Sequence, residues 1–536
     1  MIKRVLGAVA IVVAGVAGIQ GLTVVPAAAS TTAIPYQFIA KVYSEGLGRA
    51  PDQAAWASTE SYYQANGCDA TTLKYIARLA LDSAEFYNLG YSNPALVLVA
   101  YRTILNREVD TTGYVGSLSA LNGGTTWLQL IDMIFASSEF SGLANTICRT
   151  STPDYNFGTT PATTIEPGAT GLVGTQAQLQ ALLNATASGG TVTLAQRAVV
   201  RVNSSLTIPS GVTLTTAGSP GPARYAEQGR IVRDNVWPTF AAPAVVLQAG
   251  AKLSYVWVDG QMGDPARYLQ GAPNVRVLSG TNSAVTYSRL GNSAGNTALS
   301  VKGGGDPLPG SGTFINCVTN NYSYNFVEAY SSDHFNGHWS DGLSIGCENS
   351  TVVGNQVVDA SDVGIITFGE QGKTQNSLVS GNTVVNAGNG AYGSLGIDPW
   401  QNPAGGDAGG TASRDFTGSV MESNVFWNNV RAPNAIGIAV GARAWTAQYG
   451  YNGYGQIVPS NTTGTLGLWA GNGIIVSGML SATVFSNTIS LTIVTGQSNC
   501  TTAAVGAAIT AGHASGRIER TPLDTNYYGC IVGLTN

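Results

Sequence analysis

The stretch S-S-D-H-F-N-G-H-W-S-D-G, residues 331–342, holds two of the chain's three histidines. His334 and His338 stand between Asp333 and Asp341. Imidazoles and carboxylates this close suit proton transfer or contact with a polar substrate. A helical His-x-x-x-His metal pair is not implied, because Asn336-Gly337 between them reads as a turn. Asp341 is followed 21 residues later by Asp362, each near the start of an apolar stretch. If that interval is one solenoid turn, the two lie roughly 5 Å apart at the backbone. Asp398 faces outward by alternation from Ile397, and Glu370 follows the Asp362 stretch. One lateral face is therefore expected to gather Asp341 and Asp362 as the catalytic carboxylate pair, with Asp398 or Glu370 assisting. Asp333, His334, His338, Trp339, Trp400 and Lys302 are the expected substrate contacts, with Trp445 beside them.

That inventory suits cleavage of a glycosidic bond. One protonated carboxyl serves the leaving oxygen, and a second carboxylate activates water or attacks carbon. Like-charge neighbours raise one pKa and hold that acid protonated. β-Elimination would instead need Ca²⁺ on the carboxylates and a Lys or Arg base, for which Lys302 and Lys373 are candidates. No cofactor is required, although the carboxylates would suit Ca²⁺. The plainer alternative is that Asp341 and Asp362 only cap turns.

The elements that must carry these residues are short strands. Charged residues are only 10% of 536, and Gly numbers 68. That composition disfavours a long helical chain and a charged disordered one. The net charge of -5 gives no electrostatic claim on nucleic acid. From Gly190 onward, segments built on Asn355, Asn382, Asn424 and Asn487 share a Gly/Ser-Asn turn followed by apolar alternation, at spacings of 27, 42 and 63. A fixed local motif at varying intervals means one supersecondary unit with loops of different length. The physical solution is a parallel β-solenoid, with Asn in the left-handed turn and its amide bonding coil to coil. Thr175 N-caps a short amphipathic helix to Leu183 that should cover the solenoid's open end.

Residues 34–148 have helical periodicity and repeat themselves. Tyr43…Arg49-x-x-Asp52 matches Tyr101…Arg107-x-x-Asp110, and Ser83-Ala-Glu85-Phe86 matches Ser137-Ser-Glu139-Phe140. The Arg and Asp residues are expected to form turn-stabilising ion pairs. Residues 149–170, rich in Thr, Pro and Gly, read as a linker to a β domain spanning 171–536. Residues 1–29 read as a signal peptide, with Lys3 and Arg4, an apolar run and an Ala27-x-Ala29 ending. The chain is thus expected to act outside the cell or at its surface, with no membrane span after removal of the signal. Six cysteines in an exported chain imply disulfides; proximity suggests Cys68–Cys148, Cys317–Cys347 and Cys500–Cys530.

Two resemblances follow from these motifs. The repeat at 34–148 resembles a helical domain of unassigned function found in exported bacterial proteins, distantly like phycobilisome linker domains. It implies an accessory or surface-interaction module with a cell-surface partner. The region 171–536 resembles the pectate-lyase-like right-handed parallel β-helix superfamily. The resemblance implies a mainly β chain with a smaller all-α N-terminal domain. Ser340-Asp341-Gly342 and Ser361-Asp362 partly match polygalacturonase-type hydrolases, while their Gly-His-Gly and Arg-Ile-Lys motifs are not found. The resemblance implies a secreted glycoside hydrolase acting on a polysaccharide other than polygalacturonate. A polysaccharide lyase or epimerase, and a non-catalytic adhesin or glycan-binding solenoid, are the alternatives.

Overall fold

The computed structural model describes residues 34–149, 175–233, 242–260, 273–278, 281–293, 295–302, 318–329, 340–369, 374–388, 390–399, 414–441, 453–476, 479, 481–494 and 517–519. Helices lie between Tyr36 and Arg149, and from Thr191 the chain is a succession of short strands. The expected signal peptide and linker lie outside the described residues.

The helical repeat is built on a turn device. Arg49 lies over the Tyr43 ring at 5.1 Å and pairs with Asp52 at 3.4 Å and Glu85 at 2.5 Å. Arg107 does the same with Tyr101 at 5.2 Å, Asp110 at 3.3 Å and Glu139 at 2.5 Å. Asp52 and Asp110 also cap the helices Gln53–Asn66 and Thr111–Asn122. Both repeated motifs are therefore one ion-paired turn, made twice. The disulfide Cys68–Cys148 closes 80 residues of this region. Closing a loop of that size stabilises by about 4–5 kcal/mol on loop entropy.

The remainder is the expected parallel β-helix, with three sheets of eleven, eight and ten strands among the described residues. One coil runs through Thr351–Val353, Gln356–Val358 and Val363–Phe368. The next runs through Leu378–Ser380, Thr383–Asn386 and Ala391–Asp398, in parallel register with the first. Alternate side chains such as Val352, Val357, Ile365, Val379, Val384 and Leu395 point inward and form one continuous core. The helix Gln176–Ala185 caps the first coil, with Leu179 and Leu183 fully buried. Its Gln180 side chain bonds both the N–H and the C=O of Thr207 on the edge strand. That contact blocks pairing with another chain.

The asparagine turns differ from expectation in one respect. The left-handed residue is the one before each Asn: Gly354, Gly381, Ser423, Ser460 and Ser486, with φ from 54° to 66°. The Asn side chain is buried instead. Each Oδ1 accepts the backbone N–H and the Nδ2–H of the Asn one coil earlier. This ladder runs Asn325, Asn355, Asn382, Asn424, Asn461 and Asn487. Asn461 divides the long 63-residue interval into two coils. On three earlier coils the left-handed position is Tyr255, Tyr287 or Tyr324, with φ of 58°, 52° and 61°. Holding L-residues there costs roughly 1–2 kcal/mol each. Their rings stack at 5.1 and 5.0 Å. Two such contacts return only about 1–3 kcal/mol.

The helical domain is not held by the linker alone. It lies lengthwise on the second sheet, from Tyr91 Oη donating to Ala223 O to Gln53 bonding Thr463 and Thr465. Trp56 meets Trp427 edge-on at 5.0 Å. Between these ends lies a buried charge network. Outward positions of the second sheet supply Arg230, Asp259, Arg289 and Glu328, the helices supply Lys41, Glu45 and Arg102, and the turn before Thr111 supplies Glu108. Arg102 Nε binds Glu45 at 2.7 Å, Tyr225 Oη donates to Glu45 at 2.7 Å, and Arg289 also pairs with Glu45. Trp257 sits between Arg230 at 3.9 Å and Arg289 at 5.7 Å. Four cations meet four anions, so the buried charge is compensated. Removing one member would cost about 3–5 kcal/mol, because its partner stays buried.

Candidate functional site

The third sheet carries every described residue expected to do chemistry. Its strands Asn296–Lys302, Ser340–Gly346, Val363–Phe368, Ala391–Asp398 and Asn434–Val440 pair in series. Leu299, Leu343, Ile365, Leu395 and Ile438 point into the core. The next residues along, Ser300, Ser344, Ile366, Gly396 and Ala439, therefore form an outward column. This column is buried, with Ser300 at 0%, Ser344 at 3%, Ile366 at 3% and Ala439 at 0% exposure. The outward face of the first sheet, by contrast, is open at Thr191, Thr193, Lys252 and Thr351.

Asp341, Asp362 and Asp398, the described members of the expected four, do not meet at one point on this sheet. Asp341 and Asp362 are one coil apart, and Asp362 N–H donates to Ser340 O at 3.1 Å. The register sets Asp341 beside Val363, so the two aspartates are not register partners. Asp341 is buried, yet it lies on the outward side with Ser344, because alternation breaks at Gly342, where an added Cβ would meet the core residue Val357. Its Oδ1 accepts the Val363 N–H at 3.1 Å, and its Oδ2 accepts the Ser344 Oγ–H at 2.7 Å. This is the chemistry of a coil-to-coil cap. Asp362 precedes the strand, in a bend, and is half-buried.

Asp398 belongs to the opposite end of the strands. Gly393, not Asp398, pairs with Val363. Five residues of strand then separate the Asp341 column from Asp398, about 16 Å. Paired glycosidase carboxyls stand about 5–5.5 Å or 6.5–9.5 Å apart. Asp398 has outward parity, as expected, and is buried at 6% exposure. It pairs with Phe368, and its C=O accepts the Gly369 N–H at 2.9 Å. Continuing the register places the Lys302 backbone in the same column, through Gly346 and Phe368.

The sheet thus has two chemical rims. Residues 330–339, with Asp333, His334, His338 and Trp339, precede Ser340 at the rim of Asp341 and Asp362. Glu370 follows Gly369, and Trp400 follows Pro399, at the rim of Asp398. Asp333, His334, His338, Trp339, Glu370, Trp400 and Trp445 themselves lie outside the described residues. Cys317, Cys500 and Cys530 lie outside as well, while Cys347 is buried and disulfide-bonded. Among the described residues, no group of three or more His, Cys, Asp or Glu is arranged to hold a metal ion. No helix among them is long and apolar enough to cross a membrane.

Comparisons with known proteins add little. No family model matches the chain, and no curated protein matches it. Among solved structures, it is similar to a tailspike protein of E. coli bacteriophage HK620 in complex with a pentasaccharide. The identity is 12%, the TM-score 0.37, and the match covers 60% of each chain. It is also similar to an alginate lyase from Paenibacillus sp. str. FPU-7, at 11% identity and TM-score 0.31, over 56% of this chain and 96% of that one. The chain thus spans about three fifths of the tailspike's length. The fold assignment rests on the chain's own strand pairing.

Two features escaped the reading of the sequence. One is the buried charge network. Its one legible trace is that Arg230, Arg289 and Glu328 stand inside apolar strands of a chain poor in charge. The other is the tyrosine stack, whose trace is Ser/Thr-Tyr at 254–255, 286–287 and 323–324.

Proposed function

We propose that this protein is a carbohydrate-active β-helix enzyme, a glycoside hydrolase that cleaves a polysaccharide at the third sheet. The observation that carries the reading is Asp398, an outward carboxylate on a buried floor, whose own carbonyl is bonded by the residue immediately before Glu370. Asp398 and Glu370 are the carboxyl pair in this reading. In such a pair one acid gives its proton to the leaving oxygen and the other activates water or attacks carbon. Asp362, with the histidines of residues 330–339, contacts the substrate at the other rim. A strand's length between the rims leaves room for several sugar units across the sheet. Asp341 supports the coil beneath them. Export to the cell exterior fits a polymer substrate.

The test is incubation of the chain with plant, algal and bacterial glycans. Products are read by new reducing ends and by absorbance near 235 nm. Reducing ends without that absorbance are expected. Asp398→Asn and Glu370→Gln should each lower the rate by about 10²–10⁴-fold. Full activity in both variants sinks the pair. Unsaturated products would sink hydrolysis and turn attention to Lys302 as a base. Glycan retained without any cleavage would make the chain a binding solenoid.

A further inference from the structure

The corner between the first and second sheets accepts Gly354, Gly381, Ser423, Ser460 and Ser486 in the left-handed conformation. No aromatic ring is needed to make that turn. Yet three successive coils place Tyr255, Tyr287 and Tyr324 there. Their rings stack nearly parallel, at interplanar angles of 8° and 14°. They are also outside: Tyr287 is 37% and Tyr324 47% exposed. A Cβ on Gly354 would come within 2.8 Å of the Tyr324 ring, so the stack ends on a residue without a side chain. Tyr255 and Tyr287 directly follow the half-buried hydroxyl residues Ser254 and Thr286 on the outward face of the first sheet, whereas Ser323 before Tyr324 is buried. Ser254 and Thr286 share a hydrogen bond of 2.9 Å, and Ser323 donates to Asn321 at 2.6 Å. Lys252 is the charged side chain of that strip, in register with Ala284 and Asn321.

We propose that Tyr255, Tyr287 and Tyr324, with Ser254 and Thr286, form a binding strip for an uncharged glycan chain lying along the solenoid axis. Phenol and hydroxyl groups both donate and accept, which matches a ligand that is itself an array of hydroxyls. Aromatic carbon beside them supplies the apolar contact that sugar C–H groups require, and tyrosine combines the two. The strip is straight, rigid and repeats every coil, which fits a polymer. A protein partner's anchors would need a pocket. One lysine among five neutral groups gives no basis for selecting a polyanion. The strip lies on a different sheet from the proposed cleavage site, so binding here is separable from cleavage there.

The experiment is affinity electrophoresis of the full chain in gels containing laminarin, hydroxyethylcellulose, galactomannan or polygalacturonate. At least one neutral polymer should retard the protein. The triple variant Tyr255→Ser, Tyr287→Ser, Tyr324→Ser keeps a residue type this corner already accepts. It should weaken that binding at least about tenfold. Should the triple variant not fold, Tyr287→Ser alone removes the middle ring, which touches both others, and should weaken binding about threefold. Circular dichroism and thermal unfolding confirm the fold of whichever variant is read. Unchanged retardation in a folded variant overturns the proposal, as does retardation by polygalacturonate alone. A parent chain that no neutral polymer retards, as a strip made for a protein partner would be, also overturns it. A parent chain that a neutral glycan retards but that does not cleave it would count against the Asp398–Glu370 pair and leave the strip standing.

Discussion

At the scale of single residues, Asn382 shows how much one side chain can hold. Its Oδ1 accepts two N–H groups from Asn355, each at 2.9 Å. Its Nδ2 donates to Val352 O and Asn424 Oδ1. Asn382→Ala would strand buried donors on Asn355 and buried acceptors on two neighbours. Each stranded group costs about 1–3 kcal/mol. A loss of roughly 2–5 kcal/mol is expected from thermal or denaturant unfolding, and a loss below about 0.5 kcal/mol would mean the ladder relaxes at no cost. Asp341 is subject to a parallel test. Asp341→Asn keeps an acceptor for the Val363 N–H and should keep most activity, whereas Asp398→Asn should not. The motif around Asn was legible because every coil repeats it. The conformation was assigned to the wrong residue of the pair: Gly354 and Gly381 carry the signal for a left-handed φ, but Ser takes their place at 423, 460 and 486, while Asn recurs in every coil.

Whole elements were legible where a pattern repeats within a few tens of residues. The helical repeat's Arg, Asp and Glu positions were readable because each ion-paired turn closes locally. Those pairs are exposed, so Arg107→Ala should cost no more than about 1 kcal/mol in unfolding experiments. Strand stacking is less forgiving. A Cβ on Gly364 would lie 2.4 Å from Val384 Cγ1 and 2.6 Å from Ser394 O. Gly364→Ala must therefore push two coils apart, at about 1–3 kcal/mol or more. The drop in melting temperature should exceed that of Arg107→Ala, and equal effects would show that the coils yield. The single-groove reading of the acids failed at this scale too. A 21-residue interval gives the coil, but parity and position along the strand decide which acids meet. A short loop between strands shifts both without changing the interval.

For the molecule as a whole, the decisive contacts join residues hundreds of positions apart, and no local pattern announces them. Glu45 meets Arg289 across 244 residues, and Ala50 N–H meets Gln356 across 306. The resemblance implied an accessory domain on a linker; the structure gives a clamp along most of the second sheet. Its response to acid follows from the charges. Burial alone would raise the Glu45 carboxyl, but Arg102, Arg289 and Lys41 hold it well below the ordinary carboxylate range. Burial likewise works against Glu108, and Arg230 and Arg102 pull it down. A carboxyl depressed in the folded state contributes stability above its unfolded pKa of about 4.3, lost as pH falls through the folded value. The clamp should therefore stay closed through pH 4–5 and open only on further acidification. Hydrogen exchange at Val256–Asp259, a second-sheet strand beneath the network, would report the opening. Protection lost already near pH 5 would mean the network does not hold the domains together. Glu45→Gln leaves Arg102 and Arg289 facing a neutral amide, and should expose the same strand at neutral pH by weakening the clamp about 3–5 kcal/mol. If the variant opens at neutral pH while the parent resists acid, the helical domain is held by charge. If both resist, the apolar contact of Trp56 on Trp427 is sufficient by itself.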